Sequence, residues 1–331
     1  MKRVRSILVG VALLFGAGAV FGGEPRLLYS TRNHFTSAVG WDVAGDTALE
    51  WVTTESGPSV LRRVNPDGSA GETLIEMRGE AAINALRASI DYLQVPAEGA
   101  TYSLLPFSSG IRVVKQESGK RGRIIASNSA DDEAAGIPRI WIRSISLVGG
   151  RLAVVGSHSD PFEAPNFQDL TVTTVFAGDH MVAEIAGHVV GESGGRALLC
   201  GPGEAWRALG EAGPAQAVAL AAPAKVPGDR WLYKVFDLGG RRFQWQSFPS
   251  SEVRVFPLDG RQVQAAGVAG GSAQGEQVLP SGCADGPPWV TGMWQTRRGT
   301  IVLAVDSWYS WRQHGSQEHG GVTTCCLFEV Q

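Results

Sequence analysis

Apolar residues in this chain recur in short runs punctuated by glycine, with no long helical period running through it. RLAVV (151–155) and TIVLAV (300–305) are apolar on both faces, as strands sandwiched between neighbouring sheets are. Each follows a glycine turn. Gly149-Gly150-Arg151, Gly194-Gly195-Arg196 and Gly239-Gly240-Arg241 stand 45 residues apart and lie between apolar stretches. Two strand-forming runs joined through Gly-Gly describe a β-hairpin, because tight hairpin turns need a positive φ that glycine adopts at no steric cost. Looser copies surround Gly45, Gly99 and Gly299. Six hairpin units therefore turn at Gly45, Gly99, Gly150, Gly195, Gly240 and Gly299, roughly 51 residues apart on average, within reach of the repeat length of propeller blades.

Most units continue with a third and often a fourth strand. SVLRRVNPDGS and ETLIEM follow the first hairpin, GIRVVKQ and GRIIAS the second, DLTVTTVF and MVAEIAG the third, and EVRVFPLDG and RQVQAAG the fifth. The sixth ends in TTCCLFEVQ with no fourth strand left, while PRLLYS near the N-terminus has no partner. An N-terminal strand completing the last blade closes the ring and removes an exposed edge. Two stretches break the β pattern: EAAINALRASIDYL (80–93) carries apolar residues at helical spacing, and PGEAWRALGEAG (202–213) reads as a helical insert. The predicted fold is all-β, a six-bladed β-propeller closed by its N-terminal strand.

Asn65-Pro66-Asp67-Gly68 and Leu258-Asp259-Gly260 are turns of the kind that end strand pairs in TolB-type repeats. On these residues the chain resembles the six-bladed β-propeller class, loosely its TolB-like members. The resemblance implies a fold alone, because the Pro-x-Trp-Ser-Pro-Asp-Gly run of TolB-type blades is absent. Asp285-Gly286-Pro287-Pro288-Trp289 likewise approaches a sialidase Asp-box without its spacing.

The first residues place this domain. Lys2, Arg3 and Arg5 precede an apolar run from Ile7 to Phe21, followed by small residues, which reads as a secretory signal peptide over 1–22 ahead of a single propeller domain over 23–331. Ala17-Gly18-Ala19 and Val20-Phe21-Gly22 offer alternative cleavage sites. The expected location is periplasmic or extracellular. Losing those three cations takes the formal charge from −3 to −6, and nothing suggests the basic face that nucleic-acid binders need. No later segment is long and apolar enough to span a membrane. In an oxidising compartment the four cysteines, Cys200, Cys283, Cys325 and Cys326, are disulfide candidates, with Cys283 bonding to Cys325 or Cys326 favoured by proximity in the chain. Neighbouring residues of a strand point to opposite faces, which argues against a Cys325–Cys326 bridge.

Candidate chemistry begins with GESGGRALLC (191–200), whose Gly-x-Ser-x-Gly spelling resembles the nucleophile segment of trypsin-like proteases. No upstream histidine has the setting such an enzyme requires, and the segment is in phase with five other hairpins. Ser193 is therefore read as part of a turn. By analogy with the fold, binding sites of propellers form at one mouth of the channel, from loops joining second to third strands and one blade to the next. Two such loops are long. GSHSDPFEAPNFQDL (156–170) holds His158, Asp160, Glu163 and Asp169, and DSWYSWRQHGSQEHGG (306–321) holds Asp306, Trp308, Tyr309, Trp311, Arg312, His314, Glu318 and His319. Trp, Tyr and Arg together suit stacking on a sugar or a protein hot spot, while Trp308 and Trp311 serve equally to plug the seam between last and first blades. His314 and His319, five apart, fix no metal geometry, and Asp131-Asp132-Glu133 lacks the pattern of a calcium loop and reads as a solvated acidic turn. No cofactor and no metal is expected. The first functional expectation is an exported binding or scaffold module taking a protein or carbohydrate partner. The alternative is an extracytoplasmic hydrolase or lyase acting on glycans or esters through Asp160, Glu163, Asp306, His314 or His319.

Overall fold

A computed structural model describes residues 25–33, 37–52, 58–77, 90–107, 110–159, 171–193, 196–200, 206–208, 231–247, 252–257, 276–278, 288–312 and 319–330. The chain is a β-propeller. The first blade is β2 (Ser37–Asp42), β3 (Thr47–Val52), β4 (Ser59–Val64) and β5 (Ala70–Met77). The second is β6 (Asp91–Val95), β7 (Ala100–Phe107), β8 (Gly110–Glu117) and β9 (Arg123–Ser127), and the third is β10 (Trp141–Val148), β11 (Arg151–Ser157), β12 (Val172–Ala177) and β13 (His180–Ala186). The fourth sequence unit gives β14 (His188–Ser193), β15 (Arg196–Cys200) and β16 (Trp206–Ala208). The fifth gives β17 (Trp231–Leu238), β18 (Arg241–Ser247), β19 (Glu252–Pro257) and β20 (Glu276–Val278). The last blade is β21 (Pro288–Gln295), β22 (Ile301–Arg312), β23 (His319–Val330) and, at its edge, β1 (Arg26–Asn33).

Ring closure follows the expected route. β1 runs antiparallel to β23, with Leu27 opposite Phe328 and Tyr29 opposite Leu327, and Glu329 accepts hydrogen bonds from Arg26 and from Thr300 Oγ1 (2.9 Å). Two of the three Gly-Gly turns also hold: Gly149 and Gly150 have φ of 55° and 72°, Gly239 and Gly240 57° and 72°, while Gly194 and Gly195 lie outside the described residues. Both central residues in the left-handed region define the hairpin turn whose twist matches its strands.

The number of blades differs from the expected six. Five sheets form among the described residues, because β14 and β17 hydrogen-bond in parallel through Gly191 opposite Val235 and Glu192 opposite Phe236. Units four and five thereby share one seven-stranded sheet. Glycine permits the join, since a Cβ on Gly191 would lie 2.1 Å from the Val235 carbonyl oxygen. First strands also touch between the first two blades, but there only as a single bridge, Gly40 to Ile90.

Other expectations need correction. The helical spacing over 80–93 gives way to strand at its end, where Ile90 bridges Gly40 and Asp91–Val95 is β6; residues 78–89 lie outside the described residues. Within the expected insert at 202–213, Trp206–Ala208 pairs with β15 as a strand. In unit five Glu276–Val278 pairs with β19, while the expected strand RQVQAAG (261–267) lies outside the described residues. The acidic turn is a short helix, α1 (Ala130–Ala134), and its Asp132 is buried.

The core lies between blades. Leu49, Trp51, Leu61, Tyr92 and Leu105 pack the first blade on the second, and Tyr102, Ile140, Leu152 and Phe176 the second on the third. Trp51 Nε1 donates to the Pro106 carbonyl at 2.8 Å, so its one polar atom is satisfied where it is fully buried. Cys325 packs with Val39, Trp41 and Leu327 toward the first blade, and Cys326 with Val290, Val305 and Phe328 toward the fifth unit. Strand alternation thus separates the two cysteines, as the sequence predicts. Among the described residues no helix is long and apolar enough to cross a membrane.

Candidate functional site

The first strand of each unit is innermost, and four of the six carry a bulge against the second strand. The extra residues are Arg143, Val190, Tyr233 and Thr291. A bulge bends its strand and re-aims a side chain. Two of these residues meet: Arg143 on β10 donates to Tyr233 Oη on β17 at 3.3 Å, spanning the unit between them. Burial lowers the pKa of the Arg143 guanidinium, against the opposing pull of Tyr233.

A second layer crosses the wheel. Asp91, buried at the start of β6, accepts at Oδ1 from Lys234 Nζ (2.7 Å) and Trp294 Nε1 (3.1 Å), and at Oδ2 from the Ile145 backbone N–H (3.3 Å). Strands β6, β10, β17 and β21 are therefore tied to one carboxylate. Lys234 also sits 5.4 Å from the centre of the Trp294 ring. Three donors leave the carboxylate well compensated where water is scarce.

Around this cluster opens a cavity of about 610 Å³. Five first strands line it, β6, β10, β14, β17 and β21, and the first unit reaches it through Val43 in the turn after β2. Asp91, Lys234 and Trp294 form its deep part, and Val43, Leu147, Asp237 and Arg297 stand at the turn ends of their strands. Apolar wall comes from Leu93, Val189 and Phe236. The Asp237 carboxylate is held by both arms of Arg242, at 2.8 and 3.0 Å. Arg297 is exposed and makes no ion pair among the described residues. The volume is that of a small-molecule site.

The cavity opens at the hairpin end of the strands, whereas those predicted loop residues that are described lie at the other end. His158 follows β11, whose last residue Ser157 pairs with Trp141 at the start of β10, about 20 Å from Leu147 at ~3.3 Å per residue. There His158 Nε2 meets Glu184 Oε2 at 2.6 Å, both half-exposed. Trp308, Tyr309, Trp311, Arg312 and His319 are not in a loop. They extend the β22–β23 ladder, with Trp308 opposite Thr323, Tyr309 opposite Val322, Trp311 opposite Gly320 and Arg312 opposite His319. Aromatic residues facing β-branched residues and glycine continue a ladder readily. Asp306 is buried in the seam with the first blade, against Cys325, and does not line the cavity. Burial, then the Asp306 carboxylate, pushes the Cys325 thiol pKa well up. Asp160, Glu163, His314 and Cys283 lie outside the described residues. Ser193 ends β14 opposite Arg196, as a hairpin requires. Among the described residues no three metal-binding side chains converge.

Asp91, Lys234, Trp294 and Arg297 do not stand out in the sequence by any motif. The available signal is a charged residue inside the first strand of a hairpin unit, as in SIDYL and LYKVF. Such a residue can be buried only beside a countercharge, and here the two belong to units 143 residues apart.

No known protein family matches the chain, and no curated protein is similar to it. Among solved structures, a protein from Lactobacillus plantarum, a target of the Northeast Structural Genomics Consortium, is similar over 86% of this chain and 83% of its own length. Its sequence identity is 14% and its TM-score 0.39.

Proposed function

We propose that this protein is an exported β-propeller that captures a small ligand in the axial cavity at the hairpin end of its channel. The observation that carries the reading is one cluster: a carboxylate, an ammonium and an indole from three units meet in the cavity that all six units line. Binding fits the site better than acid–base chemistry. Asp91 and Asp237, the carboxylates that line it, are each held by a cation, so their oxygens are already committed to contacts within the protein. In this reading an oxidising compartment would let Cys326 take up the bridge expected of Cys283, since Cys325 keeps its thiol on the opposite face of the strand.

Ligand-observed NMR with a panel of small organic molecules tests the reading on the full chain. Ser146→Phe, which places a ring in the cavity wall, abolishes the hits, while His158→Ala at the far end preserves them. Hits that survive Ser146→Phe and vanish with His158→Ala move the site to the other mouth and overturn the proposal.

A further inference from the structure

The polar capacity of the cavity is unevenly spent. Both oxygens of Asp91 are engaged by three donors, and both oxygens of Asp237 by the Arg242 fork. The acceptors are thus satisfied within the protein. Donors are left over: Lys234 has one hydrogen-bond partner for its three N–H groups, and the Arg297 guanidinium pairs with no carboxylate among the described residues. Lys234 is neutralised by Asp91 and Asp237 by Arg242, so among the described residues Arg297 leaves the cavity with a net charge of +1. Beside it the wall is apolar, from Leu93, Val189 and Phe236.

We infer, resting on the reading of the cavity as a ligand site, that its occupant is a small monocarboxylate with an apolar body. The carboxylate docks on the Arg297 fork at the rim, and the apolar part lies along Val189 and Phe236. A planar guanidinium matches a carboxylate in two parallel hydrogen bonds, which an ammonium cannot do. One unpaired cation balances one negative charge. A phosphate dianion would bring a second charge into a cavity that already contains two carboxylates, and a cationic ligand would have to displace Lys234 or Arg242 from theirs. Lys234, deep in the cavity, retains N–H groups for a hydroxyl or carbonyl further along the ligand.

Three near-isosteric probes separate these cases by isothermal titration of the full chain: 3-phenylpropionate, 3-phenylpropionamide and 3-phenylpropylamine. The carboxylate binds about tenfold or more tightly than the amide, the scale of one charge-assisted pair, and the amine binds weakest. Arg297 sits in an exposed turn, so Arg297→Gln folds normally by near-ultraviolet circular dichroism. In it the carboxylate falls to the affinity of the amide, and the amide itself is unchanged. Equal binding of carboxylate and amide, or a preference that survives Arg297→Gln, overturns the ligand class and leaves the cavity reading standing. Absence of binding by all three probes also overturns it, and a panel with no cavity-dependent hit removes the reading beneath it as well.

Discussion

Two buried carboxylates in this molecule are compensated by the same means but over different reach. Asp132, on α1, accepts from Arg112 Nε (2.7 Å), Arg112 Nη2 (3.2 Å) and Ser127 Oγ (2.6 Å), all within the second blade and its following helix. Arg112 in turn lies 4.6 Å from the centre of the Phe107 ring. Asp91 draws its three donors from the third blade, the fifth unit and the last blade. The first latch needs only one hairpin pair to form. The second cannot exist until the ring has closed, since its partners lie up to 203 residues away. Loop-closure entropy must be met before such contacts contribute, so the axial cluster reports on the whole wheel and the peripheral latch on one blade.

Breaking the axial pair therefore has the largest expected effect. Lys234→Met leaves the Asp91 carboxylate buried with its countercharge gone, at a cost of about 3–5 kcal/mol. Urea unfolding measures it. Adding Asp91→Asn keeps an oxygen for Trp294 Nε1 and removes the orphaned charge, so the double variant is more stable than Lys234→Met alone. Additive losses in that cycle would show that the two side chains act separately and that the comparison with the peripheral latch is unfounded.

Asp132 comes next. Asp132→Asn, which loses the charge-assisted bonds to Arg112 and Ser127, destabilises by about 1–3 kcal/mol at neutral pH. Burial alone would raise the pKa of this carboxyl, but the Arg112 and Ser127 hydrogen bonds outweigh it and hold the value below the usual 3.8. A depressed folded-state pKa means that the carboxylate's stabilisation is complete above its unfolded value and is lost as pH falls through the folded one. The gap between wild type and Asp132→Asn is therefore constant from neutrality down to about pH 5 and closes in more acid solution. A gap that persists unchanged at pH 2 would mean that shape, not charge, holds α1 in place.

How far the sequence discloses these features depends on the range of the interaction. Hairpins declare themselves because a positive φ in two adjacent residues demands glycine locally, and Gly149-Gly150 and Gly239-Gly240 show it. Closure through β1 is legible too, since an unpartnered strand at one end answers a missing strand at the other. The merging of units four and five is not, because Gly191 reads as one more small residue until Val235 is known to lie against it. The same holds for the site. Trp308, Tyr309 and Trp311 attract notice by their chemistry, yet their backbone is a strand, because aromatic residues suit a ladder as well as a loop. Asp91 and Lys234 look ordinary, and only the circular arrangement places them face to face. Asp132 likewise passes for a solvated acid until Arg112 is placed beside it.

The smallest effect belongs to the ion pair at the far end of the third blade. His158 and Glu184 meet at 2.6 Å, but their side chains are 48% and 42% exposed. Water and salt screen both charges, and ordering two side chains offsets much of what attraction remains. Glu184→Gln therefore changes unfolding free energy by roughly 0–1 kcal/mol, less than either buried pair, and raising salt to 1 M shrinks the change further. The same variant leaves cavity ligands bound as in the wild type, because about 20 Å of blade separates His158 from Leu147. An exposed pair that proved as costly to remove as Asp132 would show that the blade ends are held more rigidly than their exposure implies. Ligand affinity that fell with it would join the two ends of the channel into one site.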